Sequence, residues 1–223
     1  YFKKRRLPYR VVRNRSCIEK LDASQIIGIV LSGSNLRLSK ALKISSYAQS
    51  IYFITNFPDL PILGICFGAQ IISVMYGGKV ESLPKTIKGH CKVDIIKRDV
   101  LFESMRRTLD FYEHHTDHIT VPPLQFNITA LDKFGNIEAI ESSQHHRFGV
   151  QFHPENSADG QPILDNFVRY SLQHAHNQVD NAHRKKRIAS WITSLSRNPV
   201  KSQDHHSSTY TPRVGGLCRQ LRK

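Results

Sequence analysis

Apolar residues fall in short runs separated by Gly, Pro, Ser and Asn, and each run suggests an element. QIIGIVLSGSN, residues 25–35, is a β-branched run closing on Ser and Gly, which reads as a buried strand and the turn after it. Residues 40–54 can form a helix. PILGIC, residues 61–66, is bounded by Pro61 and Gly64, and FGAQIISVMYGG follows with helical spacing and a Gly77-Gly78 stop. Strand, turn and helix are therefore expected around Cys66. Beyond it, KVDIIKR, FNITALD, IEAIES and FGVQFH are shorter β-like runs with turn signals such as Phe134-Gly135-Asn136 between them. At the start, YFKKRR resembles the end of a helix, broken by Leu7-Pro8 before the extended YRVVRN.

Strands alternating with helices in the first half predict an α/β domain, with a mainly parallel sheet covered on both faces and ligands at the carboxyl ends of its strands. Composition changes near residue 173. Before it lies one domain, residues 1–172; after it, residues 173–223 turn to His, Gln, Asn, Ser and basic side chains, a tail expected to be partly disordered. Ten Lys/Arg against two Asp/Glu in that tail supply most of the +14 net charge. Such a tail can attract nucleic acid, but it carries no recognised motif for it, and Trp191 and Tyr210 alone do not make a stacking surface. A solvated end is the simpler reading.

No run of 18 apolar residues occurs and the basic start lacks a secretory pattern, so a cytoplasmic protein without membrane attachment is expected. The four cysteines, Cys17, Cys66, Cys91 and Cys218, form no CxxC pair, which fits a reducing compartment. His pairs at 114–115, 145–146 and 205–206 have no structural-zinc spacing with cysteine. No metal and no cofactor are assigned.

The chemistry starts at Gly64-Ile65-Cys66-Phe67-Gly68, where a thiol sits between a strand and a helix. Glycines two residues either side would relieve collisions at a sharp turn, and free N–H groups at the helix start favour a thiolate. Taken alone, Cys66 reads equally well as a small buried core residue. FGVQFHPE, residues 148–155, changes the odds: in extended chain His153 and Glu155 point the same way, so the carboxylate can fix the imidazole tautomer and stabilise its cation. Cysteine, base and orienter are then all present.

With LSGSN, GICFGAQ, HHTD and GVQFHPE in this order over roughly residues 7–172, the sequence resembles class I glutamine amidotransferases, nearest to the amidotransferase of GMP synthetase. The resemblance implies the flavodoxin-like, or Rossmann-like, three-layer sandwich of that family. Because the family opens with an apolar strand not found here, the resemblance implies either a truncated N-terminus or a sheet lacking its first strand. By resemblance, Cys66 attacks the side-chain amide of glutamine to form a γ-glutamyl thioester, His153 moves protons, and Glu155 holds His153. The backbone amides of Phe67 and Ser34 would form the oxyanion hole, with Ser34 standing where the family usually has glycine. Gln70 and the loop His115-Thr116-Asp117 would hold the substrate's α-amino and carboxylate groups.

The resemblance further implies a partner, a separate ATP-dependent synthetase subunit that consumes the ammonia, since residues 173–223 hold no glycine-rich SGGxDS phosphate loop. Two other functions fit the same residues: a γ-glutamyl peptidase using the same thioester, and an inactive regulatory protein. Intact Cys66, His153 and Glu155 argue against the last.

Overall fold

The computed structural model describes residues 1–13, 18, 21–40 and 47–197, of which 187, 188 and 191–197 are described by their backbone. The expected strands after residues 25 and 61 are β1 (Ile29–Leu31) and β2 (Ile62–Ile65). Helix α1 spans Ala48–Asn56, and residues 41–46 of the helix expected there lie outside the described residues. Helix α2 (Phe67–Met75) starts directly after Cys66. Then come β3 (Lys79–Ile95), β4 (Thr108–Val121), β5 (Asn127–Asp132), β6 (Ile137–Ser142), β7 (Arg147–Val150) and α3 (Gln161–Arg197).

The seven strands form one sheet in the order β1-β2-β7-β6-β5-β3-β4. Pairing is parallel across β1, β2 and β7 and antiparallel beyond them. Strand β2 is buried on both faces, as expected for a parallel strand between helical layers. Ile62 packs with Phe53, Ile54, Ile71 and Ile72 on one side, and Leu63 and Ile65 pack with Phe148, Phe152, Ile163 and Phe167 on the other. Helices α1 and α2 thus cover one face and the start of α3 covers the other, giving the α/β three-layer sandwich.

The folded chain departs from the sequence reading at both ends. YFKKRR is not a helix but a single turn closed by Arg5 N–H donating to Tyr1 O at 3.0 Å. Helix α3 passes through residue 173, so the compositional change does not coincide with an end of secondary structure. By internal contacts the chain divides into two units, Tyr1–Asp180 and Asn181–Lys223. Residues 198–223, and with them Tyr210 and Cys218, lie outside the described residues, as does Cys17.

Two buried charged residues stabilise the fold in different ways. Arg147 is fully buried, and its guanidinium donates to the carbonyls of Leu60, Ile54, Phe57 and Pro58, tying the α1–β2 connection to β7. Glu141, also fully buried, accepts from Leu101 N–H at 3.2 Å. Burial first, and the nearby Asp99 charge second, push its carboxyl up to about 8. A carboxyl whose folded value exceeds its unfolded one binds its proton more tightly in the folded state. Its stabilisation is therefore complete below the ordinary carboxylate range and is lost as pH rises toward 8. Unfolding free energy is expected to fall by about 1.4 kcal/mol per pH unit from this group between pH 5 and 8. Glu141→Gln should flatten that slope in urea titrations run across the window, and an unchanged slope would show that Glu141 is ionised in the folded chain.

Candidate active site

Local geometry around Cys66 follows from its two glycines. Cys66 adopts φ 51° and ψ −107°, a strained conformation for a non-glycine residue, and caps the start of α2. Its N–H donates to Val150 O at 2.7 Å, anchoring the turn to β7. A Cβ on Gly64 would sit 2.4 Å from the Gly68 backbone, and one on Gly68 would sit 2.2 Å from Leu31 O. The bend therefore requires glycine at both places.

His153 follows β7, where its N–H donates to Tyr112 O at 2.8 Å and fastens it to β4. The expected extended geometry at residues 153–155 gives way to a 3-10 turn over Pro154–Asn156, because the fixed φ of Pro154 suits the first position of a helical turn. His153 Nδ1 nevertheless meets Glu155 Oε1 at 2.8 Å. The Cys66 side chain first, and the Glu155 carboxylate second, favour the imidazolium and push His153 up to about 10. Gly33 leaves room for this ring, since a Cβ there would lie 2.9 Å from His153 Cε1.

Cys66 opens into a cleft of about 180 Å³. Ser34, Arg37, Gln70, His115, Thr116 and Asp117 line it with the sulfur. Ser34 needs no left-handed backbone, for the non-glycine residues at positive φ among those described are Arg6, Cys66, Ser104 and His146. Its side chain accepts from Leu36 N–H at 3.2 Å, and Phe67, the other expected oxyanion donor, is the first residue of α2. A larger cavity of about 340 Å³, between residues 98–103 and α3, is lined by no cysteine, serine or histidine.

His115-Thr116-Asp117, expected on a loop, lies within β4 and extends the pairing with β3. Asp117 is not a solvated carboxylate: it is buried and accepts from Arg37 Nε at 3.2 Å, Ser39 Oγ at 2.7 Å and Ser39 N–H at 2.8 Å. Gln70 is buried too, with Nε2 donating to Asp117 O at 2.7 Å and to Gln151 Oε1 at 3.1 Å. Thr116 shares a hydroxyl hydrogen bond of 2.8 Å with Thr86.

Three further residues stand beside the site that are not among those expected from the sequence. Gln151 points its amide at the Cys66 sulfur, with Nε2 to Sγ at 3.6 Å, a contact whose only sequence signal is the two-residue spacing from His153. Glu113 and Glu138 join His115 in a buried group whose ligand-type atoms lie within 4.8 Å of one another. Such a group can in principle hold a cation, but protons also account for it. His115 Nδ1 donates to Asp117 O at 3.0 Å, so Nε2, 3.0 Å from Glu113 Oε2, requires a proton between the two. Burial, followed by the charges of Glu113, Asp132 and Cys66, holds the Glu138 carboxyl well above its ordinary range.

The sequence pattern described as "Glutamine amidotransferase class-I" matches residues 1–170. The chain belongs to the class I glutamine amidotransferase family. It is 28% identical over 174 residues to a subunit of the glutamine-hydrolyzing GMP synthase of Methanobrevibacter smithii, covering 77% of this chain and 87% of that one. It is 32% identical over 162 residues to the longer glutamine-hydrolyzing GMP synthase of Petrotoga mobilis, covering 68% of this chain and 29% of that one. A solved glutamine amidotransferase from Thermotoga maritima shares the fold, with a TM-score of 0.57, 17% identity and 84% of each chain covered. This amidotransferase is thus related to the amidotransferase part of GMP synthases. No helix among its described residues is long and apolar enough to cross a membrane.

The His153–Glu155 contact carries a prediction of its own. Glu155→Gln removes a carboxylate that stabilises the imidazolium, so the His153 value must fall, and with it the alkaline limb of kcat/KM for glutamine. A loss of roughly 10²-fold near neutrality is expected from the weakened proton transfer. The pH–rate profile checks both parts, and an unmoved alkaline limb would remove Glu155 from the proton path.

Proposed function

We propose that this amidotransferase hydrolyses glutamine to glutamate and ammonia through a thioester on Cys66, for use by a separate ATP-dependent synthetase of the GMP synthase type. The observation that carries the reading is Cys66 on a strained strand-to-helix turn beside the cleft, with a His153 imidazole held by Glu155 through Nδ1 at 2.8 Å as the base that the sulfur requires. In this reading the sulfur attacks the side-chain carboxamide carbon, and the resulting oxyanion is met by the N–H groups of Phe67 and Ser34. His153 gives its proton to the departing nitrogen, which leaves as ammonia, and the γ-glutamyl group remains on sulfur. A water then attacks the thioester, its proton going to His153, and glutamate departs as the thiolate reforms. Glu155 holds the imidazole through Nδ1, leaving its other nitrogen for the sulfur and the water. Gln70, His115, Thr116 and Asp117 form the wall against which the rest of the substrate lies.

Relatedness to a protein named as one subunit of GMP synthase supports the partner assignment. Residues 1–172 supply the glutaminase, and the proposed reaction draws on no residue beyond them. The test is ammonia release from glutamine beside amine release from a γ-glutamyl dipeptide, with and without an archaeal-type synthetase partner. Faster turnover of glutamine, stimulated by the synthetase, is the expected result. Preference for the dipeptide would make the chain a γ-glutamyl peptidase, and turnover of neither by folded protein would favour a regulatory role.

A further inference from the structure

The sequence offers Gln70 and Asp117 for the head of the substrate, but the structure commits Gln70 elsewhere. Both hydrogens of its amide nitrogen are engaged, by Asp117 O and Gln151 Oε1, so it has no donor left for a carboxylate. Among the residues lining the cleft, Arg37 is the one Arg or Lys and Asp117 the one carboxylate. They stand side by side, Arg37 Nε to Asp117 Oδ1 at 3.2 Å. A guanidinium beside a carboxylate in the cleft wall matches the head of a free α-amino acid, whose ammonium and carboxylate groups are borne by one carbon.

The contact is also poorly made for a permanent ion pair. Guanidinium binds carboxylate best through two parallel N–H groups, whereas Asp117 takes only Nε, and Arg37 Nη2 is turned to the Ser82 hydroxyl. About a third of the Arg37 side chain remains open to solvent, at 32% exposure, while Asp117 is closed off at 3%. Asp117 keeps two hydrogen bonds from Ser39 whether or not Arg37 stays, so Arg37 can turn without stranding it.

We propose that Arg37 is a specificity-determining residue that binds the α-carboxylate of the substrate while Asp117 takes its α-ammonium, so that the cleft selects amides of free α-amino acids. The assignment rests on the glutaminase reading above. Arg37 lies three residues after Ser34, so a carboxylate held by Arg37 also fixes the segment that presents the Ser34 amide to the reacting carbon. Before substrate arrives the two charges satisfy each other; the substrate's head replaces that single contact with two of its own.

The test is calorimetric, on the Cys66→Ala chain, which cannot turn its ligand over. Glutamine and 4-aminobutanamide, the same molecule without its carboxylate, are titrated into Cys66→Ala and into Cys66→Ala carrying Arg37→Ala or Arg37→Lys. Arg37→Ala is expected to weaken glutamine at least about tenfold and to leave 4-aminobutanamide within about twofold, the size of one charge-assisted contact. Arg37→Lys should recover part of the loss, since it restores the charge without the fork. Equal weakening of both ligands, unchanged glutamine affinity, tighter glutamine binding, or no glutamine binding to Cys66→Ala would each overturn the proposal. Ammonia release by the wild-type chain is read separately: glutamine that binds through Arg37 but is never hydrolysed leaves Arg37 in place and removes the glutaminase function instead.

Discussion

Cys66→Ala should reduce glutamine hydrolysis by at least about 10⁴-fold while leaving the fold intact. The size of the effect follows from what is removed. In the proposed reaction every later step, from loss of ammonia to hydrolysis of the acyl group, takes place on that sulfur, and neither His153 nor the backbone amides can substitute for it. The residual rate would come from the remaining amides and charges acting on bound water. Folding should be spared because Ala keeps the Cβ and removes little packing: the sulfur's hydrogen-bonding contacts are the 3.6 Å approach of Gln151 Nε2 and a long 3.9 Å approach to His114 O. Near-native thermal unfolding together with lost ammonia release is the outcome to look for. Cys66→Ala retaining a substantial fraction of activity would transfer the chemistry to another residue.

Gly68→Ala, by contrast, should damage fold and activity together. A single methyl at this position would be 2.2 Å from Leu31 O and 2.9 Å from Leu31 C, both backbone atoms that cannot rotate away. Helix α2 would have to move off β1, a strand of only three residues paired on one side by β2. Overpacking of this kind costs about 3 kcal/mol or more, which in a chain this long lowers the melting temperature by roughly 10 °C. The same movement displaces the Phe67 amide. Loss of kcat should therefore exceed what the fraction unfolded accounts for, and calorimetry beside single-turnover kinetics at low temperature separates the two. A Gly68→Ala chain with wild-type stability would mean that β1 and α2 are not in this close contact.

Much of the site is legible in the sequence because its constraints are local. Gly64, Cys66 and Gly68 are fixed by one turn, and His153 and Glu155 by one two-residue step, so their relation is visible without knowledge of the fold. Ser34, Gln70 and Asp117 are reached through resemblance and converge on the same cleft. What escapes depends on contacts between distant strands. Glu113 and Glu138 sit on β4 and β6, and Arg37 reaches Asp117 across 80 positions.

Strand β4 shows why resemblance and periodicity can conflict. Its inward face is Leu109, Phe111, Glu113, His115, Asp117 and Ile119, alternating regularly with outward residues. Polar side chains occupy the middle of that face because the cleft and the buried proton-sharing group lie there. EHHTDH therefore lacks the apolar alternation that marks a strand, and the loop implied there by resemblance meets no contrary signal. The opposite holds at YFKKRR, where charged residues with good helix propensity form one turn only, since Leu7-Pro8 ends it before a second turn can add cooperative bonds.

Acid-quenched mass spectrometry is the direct test of whether the γ-glutamyl group of glutamine becomes covalently attached to Cys66. Wild-type protein mixed with glutamine and quenched within one turnover should carry one γ-glutamyl group on the peptide containing Cys66, labile to hydroxylamine, and absent from Cys66→Ala. Ammonia released at the wild-type rate with no such adduct at any quench time, or an adduct on a different residue, would contradict that attachment.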